Sequence, residues 1–316
     1  MNKLAVVYST DKNYCMHLGI SIVSLLENNT EFDDIEIYVI EREIGSNNKK
    51  ILFNIVNKYN RKILFIKFSD VESRIKLNLS SSKPRSIYAR LFISNLIPER
   101  IEKVLYLDCD TIINKSLCKV WNTDIENYYV AGVQDIVSNK YKSIIGMKEN
   151  DKYINSGVLL INLKKWRMMD IEERFLDFIE LYKGEVPHHD QGVINGVCKG
   201  NIFILDPQYN VNTNCYLFNN DEIKDIYKIE NYYEKDKVEY GKNNPTILHF
   251  TPGFMNRPWV KGCKHPKREL YLKYKRETCW KNIGLEEDKR NWKIKLLSNL
   301  YYILPRKVFN TIYKLI

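Results

Sequence analysis

The sequence of 316 residues is marked first by what it lacks. No stretch approaches the roughly 18 consecutive apolar residues that a membrane-spanning helix needs, and the opening residues MNKLAVVYSTDKNY do not follow the signal-peptide pattern. The seven cysteines include no CxxC pair, so we expect free thiols in a reducing, cytoplasmic compartment. A GxGxxG motif is also missing, which leaves a dinucleotide site without support.

Negative charge is scarce at the C-terminal end. Residues 256–316 carry 16 Lys and Arg against 5 Asp and Glu, whereas residues 1–255 carry 33 against 34. Apolar residues make up 44% of the chain, which is enough to bury a sizeable core and excludes a disordered protein. The basic end is compatible with nucleic acid, an anionic membrane or an anionic substrate as its partner.

The first third of the sequence alternates short apolar runs with helical stripes. Residues 4–8, 35–40 and 63–68 are typical of buried parallel strands. Residues 14–27 and 49–59 place apolar side chains at helical spacing. This βαβαβ order predicts a parallel sheet with helices on both faces.

The motif KVLYLDCD, residues 103–110, carries the sharpest chemical signal. Four apolar residues predict a buried strand, and Asp108 and Asp110 follow at its carboxyl end, where open α/β sheets bind ligands. Two carboxylates so close together repel each other unless a cation lies nearby. Mn²⁺ and Mg²⁺ take oxygen ligands and bridge phosphates, so the motif predicts a metal site. The alternative is a strand-end turn with two solvated Asp side chains.

The polar residues that end the first predicted strand are Ser9, Asp11, Asn13 and Tyr14. In a doubly wound sheet, the loop after the first strand is a usual nucleotide contact. Asp or Asn can accept a hydrogen bond from a base, and Tyr can stack on it. The alternative is an ordinary helix N-cap, supplied by Asp11 or Asn13.

Two further segments carry polar side chains beside apolar ones. Asn155 opens NSGVLLINLKKW, where its amide can hydrogen-bond sugar hydroxyls or, alternatively, form a turn. Asp190 and Gln191 stand at the start of a predicted helix that ends at residue 198. Asp190 is either an N-cap or a residue that recognises hydroxyl groups, and Gln191 can present a carbonyl oxygen to a reacting carbon.

The last predicted strand of the core, residues 247–250, leads into a loop rich in Gly and Pro. His249 offers a nitrogen ligand to a cation held by Asp108 and Asp110, although a lone histidine is more often structural. Arg257 in the same loop offers a charged fork that matches phosphate. The loop therefore predicts a phosphate contact beside the metal site.

Six motifs follow one another over about residues 1–265: DxNY, YARL, DxD, NSGVLLINLKKW, DQ and an HF…G…PW loop. In this order they resemble the family-8 retaining glycosyltransferases, which include bacterial galactosyl- and glucosyltransferases of lipopolysaccharide synthesis. The resemblance implies the GT-A fold, a Rossmann-like mixed α/β sheet flanked by helices, with a nucleotide-sugar donor and Mn²⁺, or Mg²⁺ as the alternative ion. We expect the catalytic domain over residues 1–262 and a basic amphipathic helical region over residues 263–316.

The resemblance also implies roles for individual residues. The residues implied to bind the donor are Ser9, Asp11, Asn13, Tyr14, Arg90, Asp108, Asn155, Gly253 and Arg257. The implied metal ligands are Asp108, Asp110 and His249. The implied catalytic residues at the donor sugar are Asp190 and Gln191. The last loop departs from the family's usual HxxGxxKPW, because it is two residues longer and Arg257 replaces the lysine.

The resemblance implies transfer of glucose or galactose from UDP-glucose or UDP-galactose to a cell-surface glycan or glycolipid, with retention of configuration. Retention normally uses a carboxylate nucleophile, but the matching position is Gln191. We therefore favour a same-face substitution in which the Gln191 carbonyl stabilises charge, with Asp190 as a covalent nucleophile as the alternative. Two rival classes are a catalytically inactive nucleotide-sugar binder and a nucleic-acid-binding protein. No zinc-finger spacing or RNP signature supports the latter, so no nucleic acid is expected.

The basic C-terminal segment, residues 289–316, contains seven Lys and Arg and no acidic residue. Leu296, Leu300 and Ile303 share one helical stripe, and Pro305 separates it from a second. Such a pair of helices fits the surface of an anionic membrane, which predicts a peripheral location at its inner face. The alternative is a helical tail packed on the core. Residues 135–152 are interpreted either as an acceptor or lid loop or as a plain surface loop.

Overall fold

The computed structural model describes residues 2–72 and 85–315. In chain order its first elements are β1 (Lys3–Asp11), α1 (Cys15–Glu27), β2 (Asp34–Arg42), α2 (Gly45–Asn57), β3 (Lys62–Lys67), α3 (Ser69–Glu72), a 3₁₀ helix (Arg85–Phe92), α4 (Ile93–Leu96), β4 (Lys103–Leu107), β5 (Thr111–Ile113), α5 (Cys118–Trp121), β6 (Val130–Gln134), α6 (Asn139–Ile144) and β7 (Ile154–Asn162). The predicted βαβαβ order of the first third is confirmed.

The second half of the chain is mainly helical. Its elements are α7 (Leu163–Met168), α8 (Ile171–Leu181), α9 (Asp190–Cys198), β8 (Ile202–Leu205), a 3₁₀ helix (Pro207–Tyr209), β9 (Val211–Asn212), α10 (Asn214–Leu217), α11 (Asn220–Tyr227), α12 (Lys235–Asn243), β10 (Ile247–His249), α13 (Arg268–Arg276), α14 (Trp292–Ile303) and α15 (Arg306–Tyr313).

A seven-stranded sheet in the order β3-β2-β1-β4-β7-β6-β8 forms the centre of the fold. Strands β3, β2, β1 and β4 run parallel, and β7 runs antiparallel to both of its neighbours. A second, three-stranded sheet in the order β5-β10-β9 stands beside it. Its register pairs Thr111 with His249, which brings β10 next to the residues that follow β4.

Apolar side chains cover both faces of the large sheet. One layer lies between the sheet and helices α1, α2 and α13, and the other lies between the sheet and helices α7, α8 and α9. Strands covered on both faces are apolar on both, which explains the continuous apolar run of β1. A third, smaller cluster lies between α11, the loop that carries Phe254 and Met255, and helices α14 and α15.

Helix α13 and the residues after it pack into the main core. Tyr271, Tyr274 and Trp280 are buried there against α1. Trp280 comes so close to Gly19 that a Cβ at residue 19 would lie 2.4 Å from its Cζ3 atom, so a side chain at that position would clash with the tryptophan. The domain division at residue 262 stays a prediction. Tyr271, Tyr274 and Trp280, which follow this division in the sequence, are part of the main core.

Helices α14 and α15 have two different faces. Phe309 is fully buried and Leu300 packs against the third cluster, so one face agrees with the alternative of a packed tail. The other face leaves Trp292 69% exposed, Leu296 49% and Ile303 76%. The predicted stripe is therefore divided, because Leu300 points to the protein and the other two point to solvent. None of the helices over residues 2–72 and 85–315 combines the length and the apolar character needed to cross a membrane.

Candidate active site

Two strand ends bring three predicted metal ligands together. Asp108 and Asp110 follow β4, and His249 is the last residue of β10. The Nε2 atom of His249 lies 3.2 Å from Oδ1 of Asp110 and 3.7 Å from Oδ2 of Asp108. One ligand atom from each residue lies within 4.8 Å of the others, and no second cluster of this kind occurs in the described parts of the chain. Two carboxylates and an imidazole form a donor set suited to Mn²⁺ or Mg²⁺.

The orientation of His249 is set by a residue that the sequence analysis missed. The side-chain nitrogen of Asn210 donates to Oδ1 of Asn155 at 2.9 Å, which leaves Oδ1 of Asn210 as the acceptor for Nδ1–H of His249 at 3.0 Å. In that tautomer the lone pair of Nε2 faces the carboxylates. This arrangement is the one that a metal-binding histidine requires.

Charge in this cluster favours a bound cation. Burial alone would lower the pKa of His249, but the carboxylates of Asp110 and Asp108 raise it above its ordinary value. Burial alone would raise the pKa of Asp110, but His249 and Arg257 lower it. Both directions have one cause, which is that the buried carboxylate of Asp110 and the partly buried carboxylate of Asp108 attract positive charge to the Nε2 atom. A proton and a divalent cation compete for that position.

Close packing of the cluster depends on a glycine. The backbone N–H of Asp108 donates to the carbonyl of Gly157 at 2.8 Å. A Cβ on Gly157 would lie 2.2 Å from Cε1 of His249 and 2.8 Å from Oδ2 of Asp108. Any side chain at this position would displace two of the three predicted ligands. The glycine of the NSG motif is therefore a sequence signal for close packing at the predicted metal site.

Arg90 lies between the predicted sugar site and the three predicted metal ligands, which we call the metal cluster (Asp108, Asp110 and His249). Its Nη2 atom lies 2.9 Å from Oδ1 of Asp108, and its Nε atom lies 2.9 Å from Oδ2 of Asp190. Its Nη1 atom donates to the carbonyl of Ser156 at 2.7 Å, and the guanidinium lies 4.6 Å from the ring centre of Tyr106. These contacts hold two carboxylates of predicted function on either side of one buried cation.

Asn155 and Gln191 meet in a hydrogen-bond network. The carbonyl oxygen of Gln191 accepts from the backbone N–H of Ser156 at 3.0 Å and from the amide of Asn155 at 3.2 Å. The Gln191 amide nitrogen donates to Oδ2 of Asp135 at 3.0 Å, and Asn155 donates to the same oxygen at 3.0 Å. In the sequence, Asp135 is the first residue of the segment interpreted as an acceptor, lid or surface loop. Its position directly after β6, at a strand end like that of Asp108, is the signal that could have singled it out.

The segment that begins at Asp135 is a folded structure. It contains α6, and Ile145 and Met147 are buried beneath it. The side chain of Lys142 is buried as well, and its ammonium donates to the backbone carbonyls of Glu149 and Asp151. The segment therefore presents Asp135 to the site from a self-packed unit.

Arg257 connects the metal cluster to the predicted nucleotide loop. Its Nη2 atom lies 3.2 Å from Oδ2 of Asp110, and its Nη1 atom donates to the hydroxyl of Tyr14. The guanidinium also lies 5.3 Å from the ring centre of Trp259. The arginine that replaces the family's lysine thus reaches a predicted metal ligand and a predicted nucleotide contact at once.

Asp11 organises the loop after β1 but does not cap helix α1. Oδ1 of Asp11 accepts from the backbone N–H groups of Asn13 at 2.8 Å and Tyr14 at 3.2 Å, which both precede the helix. The N-cap residue is Tyr14, without a side-chain capping hydrogen bond, so the alternative of an N-cap at Asp11 or Asn13 is wrong. Asn13 is exposed, and Ser9 is half-buried with its carbonyl accepting from the Cys109 thiol at 3.1 Å. Asp11 therefore shapes the turn from which Asn13 and Tyr14 project.

A cavity of about 730 Å³ lies beside the metal cluster. Four predicted donor residues line it, namely Asn13, Tyr14, Gly253 and Arg257. His17 and Trp259 add an aromatic wall to it, with their ring centres 3.9 Å apart. Residues 286–290 close another side, and Arg257 is the lining residue that also touches Asp110. The arrangement offers an aromatic surface for a base and a cation for a phosphate within one cavity.

The family model for glycosyl transferase family 8 matches residues 5–263 of the chain. The chain belongs to glycosyltransferase family 8. This glycosyltransferase is 31% identical over 284 residues to general stress protein A of Bacillus subtilis strain 168, covering 88% of this chain and 95% of that protein. It is 26% identical over 287 residues to a lipopolysaccharide 1,2-glucosyltransferase of Escherichia coli, covering 88% and 79%.

A solved structure shares the fold of this chain. The crystal structure of the galactosyltransferase LgtC in complex with donor and acceptor sugar analogs superimposes on this glycosyltransferase with a TM-score of 0.71 at 24% identity, covering 87% of this chain and 96% of that one. This likeness confirms the predicted GT-A fold. The roles of the individual site residues stay predictions.

Proposed function

We propose that this glycosyltransferase transfers glucose or galactose from a UDP-sugar to a glycan or glycolipid of the cell surface, with retention of configuration. The observation that carries the proposal is the convergence of Asp108, Asp110 and His249 at the edge of a cavity lined by Tyr14 and Arg257. A metal cluster next to an aromatic surface and a cation matches the three parts of a nucleoside diphosphate. The name of the lipopolysaccharide glucosyltransferase relative supports a similar acceptor.

Asp108, Asp110 and His249 would hold Mn²⁺, or Mg²⁺ as the alternative. The fit rests on the lone pair of Nε2, which Asn210 directs at the two carboxylates. A bound divalent cation would neutralise charge that develops on the departing diphosphate. Arg257 would turn from Asp110 to the same diphosphate, because a guanidinium binds phosphate oxygens through two parallel N–H groups.

On the sugar side, the contacts of Asp190 disfavour it as a nucleophile. Its Oδ2 atom lies 2.9 Å from Nε of Arg90 and accepts from the hydroxyl of Ser156 at 3.2 Å. An oxygen engaged in this way is less able to attack a sugar carbon than a free carboxylate. We retain a same-face substitution in which the Gln191 carbonyl, whose oxygen also accepts hydrogen bonds from Ser156 and Asn155, would stabilise positive charge as a dipole and without forming a bond to the sugar. Covalent attack by Asp190 is the alternative mechanism.

The proposed location is the inner face of an anionic membrane, with the protein bound peripherally. Trp292, Leu296 and Ile303 form an exposed apolar surface on α14, and the flanking residues Lys289 and Lys293 are exposed as well. Apolar side chains beside basic ones are the composition that binds to the interface of anionic membranes. A lipid-linked acceptor would be reached from the same surface.

The test is release of free UDP from UDP-glucose and from UDP-galactose, with and without Mn²⁺. We expect metal-dependent release from one of the two donors. UDP binding without release from either donor would favour an inactive binder, whereas affinity for nucleic acid with a steep salt dependence would favour the third class. The Gln191→Ala variant should slow transfer while leaving UDP affinity nearly unchanged, and a large loss of UDP affinity would place Gln191 elsewhere.

A further inference from the structure

A second concave site adjoins the donor cavity and shares Asp288 and Arg290 with its lining, where α14 meets residues 261–264. This basic pocket has a volume of about 220 Å³. The polar side chains that define it are Lys261, Lys264, Arg290, Lys295, Ser298 and Asn299. Among the described residues that line it, Asp288 is the one acid. The pocket therefore collects positive charge in a space large enough for a phosphate group.

Two of the four cations in the basic pocket are paired. Arg290 places Nη2 2.8 Å from Oδ2 of Asp288 and donates from Nε to Oδ1 at 2.9 Å. This contact neutralises the single acid of the lining. Lys261 pairs with Glu287, and both side chains of that pair are well exposed. These pairs build the rim and the wall of the pocket.

The other two cations lack an acidic partner. In the part of the chain that the structure describes, neither Lys264 nor Lys295 forms an ion pair with a carboxylate. The ammonium of Lys264 lies 4.2 Å from the ring centre of Tyr302, which places it over the aromatic face. Ser298 and Asn299 line the pocket one turn along α14 from Lys295 and can donate hydrogen bonds. Two unpaired ammonium groups near a hydroxyl and an amide complement the oxygens of a phosphate.

The basic pocket adjoins the exposed apolar surface of the same helix. Residues on an α-helix advance by about 100° each, so Lys295 and Asn299 border the stripe formed by Trp292, Leu296 and Ile303. Charge and apolar surface therefore lie side by side along α14. A phospholipid has the same order, with its phosphate next to its acyl chains.

We propose that the basic pocket binds the phosphate of an anionic phospholipid headgroup, while Trp292, Leu296 and Ile303 enter the acyl region beside it. Lys264 and Lys295 supply the charge, and Ser298 and Asn299 supply the hydrogen-bond donors. This site rests on the proposed membrane association and adds to it a specific recognition of phosphate.

The experiment measures sedimentation with two kinds of vesicle of equal charge density. One contains phosphatidylcholine and phosphatidylglycerol, and the other contains phosphatidylcholine and a fatty acid whose only charge is a carboxylate. The wild-type chain should prefer the phosphatidylglycerol vesicles. The Lys264→Gln/Lys295→Gln variant should lose that preference. A wild-type chain that binds both vesicles equally would overturn the site.

The matched control removes two charges from α14 and α15 outside the pocket. Lys293→Gln/Lys307→Gln changes two exposed lysines of α14 and α15. Because charge-assisted hydrogen bonds add to the general attraction, the pocket variant should bind phosphatidylglycerol vesicles about tenfold more weakly than the control variant. Equal losses in the two variants would reduce the pocket to general electrostatics and overturn the proposal.

The two proposals fail in different ways. If the wild-type chain sediments with neither vesicle, both the membrane association and the phosphate site are wrong. If it sediments with both vesicles equally, only the phosphate site is wrong. UDP release by both double variants should equal that of the wild type, since none of the four lysines touches the donor site, and it also serves to verify that the variants are folded.

Discussion

The metal cluster and the outer face of α14 place charged and apolar groups in opposite ways. In the cluster, Asp110 and His249 are only 8% and 4% exposed, and each faces an opposite charge. On α14, Trp292 and Ile303 are 69% and 76% exposed, with exposed lysines nearby. Buried charge is costly unless partners are in place, so the cluster is preorganised for one task. Exposed apolar surface is unfavourable in water, so this face of α14 is suited to moving from water into an apolar environment.

The largest loss of activity is expected from a change in the metal cluster, at Asp110. Asp110→Ala removes a predicted metal ligand and leaves His249 with one carboxylate fewer. We expect a loss of about 1000-fold in kcat/KM for Mn²⁺-dependent UDP release, because the metal stabilises the leaving group by several kcal/mol. The matched control is Asp236→Ala, an exposed aspartate of α12. Activity of Asp110→Ala within twofold of the control would refute the metal assignment.

The second-largest effect is expected on vesicle binding, from changes on the exposed face of α14. Replacing Trp292, Leu296 and Ile303 together by serine should weaken binding to anionic vesicles about 100-fold, since it removes most of the apolar area available to the membrane. UDP release should not change. Point variants are sharper here than deletion of residues 289–316, because deletion also removes the fully buried Phe309.

The control for this triple variant uses equally exposed apolar residues on other surfaces. Met168, Leu181 and Ile283 are 70%, 73% and 51% exposed. Their joint replacement by serine should leave vesicle binding unchanged. A similar loss in both triple variants would mean that overall apolar surface, and not the face of α14, governs membrane binding.

Asn210 tests how far preorganisation matters in the buried cluster. Asn210→Ala removes the acceptor for Nδ1–H of His249, so the ring is free to turn and to change tautomer. Loss of such an outer partner typically weakens metal binding by about 10- to 100-fold, and we expect about 30-fold for Mn²⁺ by titration calorimetry. Asn47→Ala on the exposed side of α2 is the control. Unchanged Mn²⁺ affinity in Asn210→Ala would contradict the orientation of His249.

The smallest expected effect separates two buried histidines. Burial lowers the pKa of His17 to about 4, whereas neighbouring carboxylates raise the pKa of His249. In the unfolded chain His17 binds its proton with the ordinary histidine pKa of 6.5, so the free energy of unfolding falls as the pH drops from 6.5 towards 4. Between pH 7 and pH 5.5 we expect this residue to remove about 1 kcal/mol from the free energy of unfolding.

Urea unfolding at the two pH values measures this contribution. The His17→Gln variant should lose about 1 kcal/mol less than the wild type over that interval. His265, whose pKa burial also lowers to about 4, contributes a similar amount in both proteins and cancels in the difference. An identical pH dependence in wild type and His17→Gln would show that His17 does not stay neutral in the fold.

Local sequence was sufficient to predict residues whose chemistry follows from their own segment. Asp108 and Asp110 follow an apolar strand directly, and β4 ends where that pattern predicts. Asn210, by contrast, lies between a 3₁₀ helix and a two-residue strand, with no pattern around it. Its contacts with Asn155 and His249 join positions 55 and 39 residues away. Contacts at that separation leave no trace in the spacing of a single sequence.

Arg257 lies between these two cases. Its residue type and its loop indicated a phosphate contact, which is information that the segment itself contains. Its contacts with Asp110 and Tyr14 connect the residues after β4, the loop before α1 and the last loop, and no single segment contains them.

The sequence by itself determined the order of strands and helices, the family and the residue types of the site. It could do so because apolar periodicity and short motifs are local properties of the chain. Only the tertiary structure decided which polar atoms meet and which face of each C-terminal helix is covered. The +10 net charge and the helical stripe were already in the sequence. Packing against the third cluster then partly covered Leu300 and left Trp292 and Ile303 in solvent, because burial depends on neighbours from other parts of the chain.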